Sequence, residues 1–186
     1  MNIDRRDALA GMVAMFGASL FAPIARAAAT QMVPISDGPP IVAVFSPQQR
    51  ALMVALSERV MPTTDTPGAI EAGVPDFVEK LLADWALPED RTPILAGLDA
   101  IEARSLADNG VSAAMATPEQ QDALLTLAMN DALPGGAAFF EPFRQIVLTG
   151  YFTSEVGIMQ EREYLPVPGR YDGAYPYAQV NKVFSS

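Results

Sequence analysis

Between Ser46 and Tyr151, apolar positions recur at intervals of three and four residues, and no stretch alternates over a strand's length; the pattern predicts an all-α domain. Ser46-Pro47-Gln48-Gln49 sets an N-cap serine, a proline at the first helical position and a capping-box glutamine before Leu52, Ala55, Leu56 and Val60, predicting a helix over about 47–61. Pro62 to Gly68 breaks it with hydroxyls and a carboxylate at turn positions, and Ala69 to Ala72 form a single turn ended by Gly73. Pro75 opens a second helix with Phe77, Val78, Leu81, Leu82 and Trp85 on one face, which places Trp85 in the core.

A third helix starts at Pro88 or Pro93 and runs to about Leu106, with Ile94, Leu98 and Ile101 inward, Glu102 and Arg104 outward, and Asp108-Asn109-Gly110 as its stop. Thr117-Pro118-Glu119-Gln120 repeats the capped start for a fourth helix, whose apolar side is Leu124, Leu125, Leu127 and Met129. After Pro134-Gly135-Gly136 a fifth helix, with Pro142 early and an end near Phe152, is the most apolar. Its surface is wide enough either for a central core helix or for one side on the core and one on a partner.

The flanks differ from this domain. Arg5 and Arg6 precede an uncharged apolar run, Ala8 to Ala25, closed by Ala25-Arg26-Ala27-Ala28-Ala29, the pattern of a twin-arginine export signal over residues 1–29. Ala8 stands where that signal favours Phe. Residues 30–45, with Pro34, Pro39 and Pro40, read as an extended arm before a helical domain at 46–163. Residues 164–186 lose all periodicity: Tyr164, Tyr171, Tyr175 and Tyr177 are interleaved with Pro166, Pro168 and Pro176, and such a segment suits another surface, either a partner's or its own helices.

The 186 residues include neither cysteine nor histidine. That removes Ser-His-Asp and Cys-His nucleophile systems, cysteine-held clusters and most transition-metal sites. Carboxylate chemistry survives, so a glycosidase-like pair such as Asp65 and Glu155 is one alternative, although no spacing singles it out. Cleavage after residue 29 leaves 20 acidic against 9 basic side chains, net −11, which argues against nucleic acid and anionic membrane surfaces. The twin-arginine route carries folded passengers, usually cofactor proteins. A chain with no cofactor site of its own that uses this route is expected to travel to the periplasm with a cofactor-bearing partner.

Four segments then resemble one family: the leader Asp4-Arg5-Arg6-Asp7; Leu56 to Ala69 around Met61-Pro62-Thr63-Thr64-Asp65-Thr66-Pro67-Gly68; Gly73-Val74-Pro75-Asp76-Phe77-Val78; and Gly150-Tyr151-Phe152-Thr153-Ser154-Glu155-Val156-Gly157 leading to Tyr164 and Pro166-Val167-Pro168-Gly169. The family is the small (gamma) subunit of gluconate 2-dehydrogenase and related flavin-dependent sugar dehydrogenases. The resemblance implies a noncatalytic helical subunit bound to a large glucose-methanol-choline-type flavoprotein. FAD, and in many relatives an iron-sulfur cluster, would lie in that partner, with a cytochrome c subunit as a further partner. It gives this chain no catalytic, cofactor or metal residue.

The surface candidates for such a partner are Phe139, Phe143, Tyr151, Phe152, Ser154 and Glu155 at the fifth helix, and Tyr164, Pro166, Pro168, Tyr171, Tyr175 and Tyr177 in the tail. Ser154 also reads as the cap of a following short turn, with Glu155 near its positive end. Glu58 and Arg59 are read as exposed helix charges, with a polar network to Asp65 as the other reading. A free-standing periplasmic helical binding protein is the remaining alternative.

Overall fold

Both capping boxes close in the computed structural model, which describes residues 39–40, 42–164 and 184–185. The Gln49 N–H donates to the Ser46 hydroxyl at 3.1 Å while the Ser46 N–H donates to the Gln49 side chain at 3.0 Å, starting α1 (Pro47–Val60). Among the described residues four more α-helices follow: α2 (Val74–Asp84), α3 (Pro88–Asn109), α4 (Pro118–Met129), begun by the same exchange between Thr117 and Gln120, and α5 (Gly136–Thr153). A 3-10 turn (Ala113–Met115) joins α3 to α4, and a π-helical turn (Gly157–Glu161) follows α5. The fold class is all-α, as the periodicity indicates. β1 (Glu163–Tyr164) and β2 (Phe184–Ser185) form one two-residue parallel pair, too short to show any alternation in sequence.

α5 is the hub, packing on α1, α2, α3 and α4. Phe139, Phe143, Val147 and Tyr151, four residues apart, form its inward stripe and are all buried, while Glu141, Gln145 and Thr149 on the far side are exposed. Its inward side is thus core, as both readings of its wide apolar surface require. Phe139 and Phe143 stack with ring centroids 5.1 Å apart, and Phe139 lies directly over Gly97 of α3, where an added Cβ would stand 2.2 Å from the ring.

Polar contacts align the outer helices. Arg59 of α1 makes a two-pronged pair with Asp122 of α4, both bonds 2.7 Å, and the bonded guanidinium holds the Asp122 carboxyl below the usual aspartate range. Arg50 bridges α1 to Asp76 and Glu79 of α2.

Four expectations change. Trp85 is 46% exposed rather than in the core: it caps the C-terminus of α2, on the apolar side of the helix but at its very end. Met129 is exposed for the same reason, as the last residue of α4. Glu102 is half-buried, its carboxylate accepting from the Ala113 N–H at 2.9 Å and the Ser112 hydroxyl at 3.2 Å, so it anchors the 3-10 turn. The expected arm ends in packed residues, with Phe45 buried and Val44 against the core. No helix among the described residues is long and apolar enough to cross a membrane.

Candidate partner-binding surface

The loop after α1 is built on one carboxylate. Glu58, on the last turn of α1, accepts from the Thr63 N–H at 2.9 Å and the Thr63 hydroxyl at 2.7 Å through one oxygen, and from the Ile70 N–H at 3.0 Å through the other. The Gly68 N–H donates to the Thr63 hydroxyl at 3.1 Å, and the Ala69 N–H donates to the Met61 carbonyl at 2.8 Å. A side chain at Gly68 is impossible without rearrangement, since a Cβ there would lie 2.3 Å from the Glu58 carboxylate. The result is a loop whose ends are tied down and whose Pro62, Thr63, Thr64 and Asp65 are nonetheless exposed. A surface held in one shape before contact loses little conformational entropy on binding.

Glu58→Gln tests this construction. The amide would turn an N–H₂ toward the Ile70 or Thr63 N–H, placing donor against donor, at a cost of about 1–2 kcal/mol after allowing for the partial exposure of the site. The expected result is faster hydrogen exchange confined to amides of Thr63, Gly68 and Ile70, with little change in the helices; uniform protection across the loop would refute the anchoring role.

The end of α5 meets this loop. The Tyr151 hydroxyl donates to the Pro67 carbonyl at 2.8 Å, and the Thr66 hydroxyl donates to the Glu161 carboxylate of the π-helical turn at 2.8 Å. Phe77 of α2 packs on Gly150 of α5 close by. Three of the segments that carry the family resemblance, distant in sequence, therefore converge at one end of the bundle: the Pro62–Gly68 loop, the start of α2 and the Gly150–Gly157 stretch.

Only some of the candidate contact residues lie on this surface. Phe139, Phe143 and Tyr151 are buried in the chain's own core, so they cannot offer contact area to a partner. Tyr151 acts from inside, fixing the loop through its hydroxyl. Phe152 is half-buried, edge-on to Tyr151, with the Arg162 guanidinium 4.8 Å from its ring centroid. Ser154 is the C-cap of α5, and its hydroxyl joins that helix to the π-helical turn, accepting from the Gly157 N–H at 3.1 Å and donating to the Tyr151 carbonyl at 2.6 Å. Glu155 is exposed. Tyr164 lies in β1, while Pro166, Pro168, Tyr171, Tyr175 and Tyr177, like Arg5 and Arg6, lie outside the described residues.

Glu58 was the residue missed: read as a solvated charge, it organises the loop, and neither Arg59 nor Asp65 joins it. The signal available was the run of small and hydroxyl residues after it, whose N–H groups need an acceptor.

Asp65 and Glu155 are both exposed, whereas a glycosidase pair needs two carboxyl groups flanking a sugar-binding cleft. Among the described residues no group of three or more acidic side chains is placed to hold a metal ion.

A search of curated proteins and of solved structures returns no significant match. The family model described as Gluconate 2-dehydrogenase subunit 3 matches residues 47–169, about two thirds of the chain. Running from the first residue of α1, through the Glu58 loop and past β1, that match covers every element of the helical bundle, and the chain belongs to the gluconate 2-dehydrogenase subunit 3 family.

Proposed function

We propose that this chain is the noncatalytic small subunit of a periplasmic FAD-dependent sugar or polyol dehydrogenase complex, stabilising the large flavoprotein and carrying it through the twin-arginine route. The observation that supports it most is the family match over the whole helical bundle, in a chain without a single histidine or cysteine. FAD, together with any iron-sulfur cluster, belongs to the large subunit in this reading, and a cytochrome c subunit takes the electrons onward. The preformed loop at Pro62–Gly68, with Phe152 and Glu155 beside it, is the contact surface, extended by the tail from Tyr164.

Affinity purification of the C-terminally tagged chain from its native periplasm, with mass spectrometry and a visible absorbance spectrum, tests the proposal. The expected eluate contains a large flavoprotein in equal stoichiometry and shows the flavin spectrum. A lone, colourless and monomeric chain would overturn the proposal in favour of a free-standing binding protein.

A further inference from the structure

A second exposed feature lies away from the loop, where α2 ends and α3 begins. An open groove of about 490 Å³ runs between these helices and the middle of α5, with Leu81, Trp85, Ala86, Pro93, Pro142 and Ile146 among its lining. Among the described residues its polar lining is Glu89, Asp90 and Gln145, and none of the lining is basic. The Trp85 position is built, not incidental. Arg91 donates from Nε to the Ala86 carbonyl and from a terminal nitrogen to the Ala83 carbonyl, both at 3.0 Å, while the Trp85 N–H bonds the Leu81 carbonyl. The corner that carries the indole is thus tied on both sides of it, and the indole is still 46% exposed.

We infer that this groove is a second docking site for the dehydrogenase partner, taking a segment in which an apolar side chain is followed closely by a lysine or arginine. The inference rests on the subunit reading above and adds to it where and by what chemistry the partner is held. Apolar walls around a fixed tryptophan accept an apolar side chain, and tryptophan is prominent among residues that dominate interface energetics. The edge at the start of α3 selects a cation: Asp90 is exposed there, in a chain whose acids outnumber its bases by ten. An acidic or purely polar segment would meet repulsion or leave the indole face unmatched.

The test uses the co-expressed complex. Replacing Trp85 by photo-reactive benzoylphenylalanine is expected to crosslink the large partner at an apolar residue within a few positions of a lysine or arginine. Trp85→Ala and Asp90→Lys, both at exposed sites, are each expected to weaken partner binding about tenfold or more, and the effect of Asp90→Lys shrinks at high salt. Crosslinks to residues 165–183 of the chain itself, or to a second copy, would overturn the inference, as would unchanged affinity in both variants. In those cases a wild-type chain that still co-purifies with the flavoprotein keeps the subunit reading intact. A wild-type chain that binds no dehydrogenase defeats both.

Discussion

With Arg5→Lys and Arg6→Lys introduced together, both this chain and the dehydrogenase activity of its partner are expected to remain in the cytoplasmic fraction, with periplasmic activity falling to background. The change keeps every charge in the leader, so an effect of this size reports recognition of the guanidinium groups rather than the net positive charge that any secretory leader carries. Fractionation with activity staining, against a cytoplasmic marker, reads the outcome. The prediction has two separable parts. If the chain is retained but the flavoprotein still reaches the periplasm, the partner has its own address and the carrier role is wrong. If both are still exported, the leader at residues 1–29 works as a general secretory signal, and a folded, FAD-loaded passenger is no longer the reason for it.

The structure is legible in the sequence where short-range rules decide it and not where depth does. Ser46 with Gln49 and Thr117 with Gln120 announce their helices because a capping box is a local exchange of two hydrogen bonds, complete within four residues. Trp85 shows the limit. Its position on the apolar side of α2 follows from spacing, but periodicity gives a direction around an axis and says nothing about whether neighbouring helices extend far enough to cover it. Glu58 shows a second limit, since the N–H groups it accepts belong to Thr63 and Ile70, and only the folded loop brings Ile70 back to the helix. Tyr151 joins both: its spacing on α5 placed it among large apolar residues, while the role of its hydroxyl depended on Pro67, far away in sequence.

Gly97→Ala is expected to destabilise the helical domain even though the intrinsic preference of a helix points the other way. Alanine in place of glycine inside a helix favours that helix by about 1 kcal/mol. Against this stands the contact of α3 with α5, in which the new Cβ would sit 2.2 Å from Cγ and 2.3 Å from Cβ of Phe139. Phe139 is fully buried and stacked on Phe143, so its ring cannot swing into solvent to make room. Overpacking of this kind costs about 3 kcal/mol, near the upper end for one added methyl group, leaving a net loss of about 2 kcal/mol and a fall in Tm of roughly 6–10 °C. Thermal unfolding followed by circular dichroism measures it. Phe139→Leu, which shrinks the ring side, is expected to cost less in the Gly97→Ala background than in the wild type, because the two residues share one contact. A Tm that rises on Gly97→Ala would mean that α3 and α5 do not meet at this point. Phe139 would then be free to face outward as a partner contact, and the case for α5 as the covered centre of the bundle would fall with it.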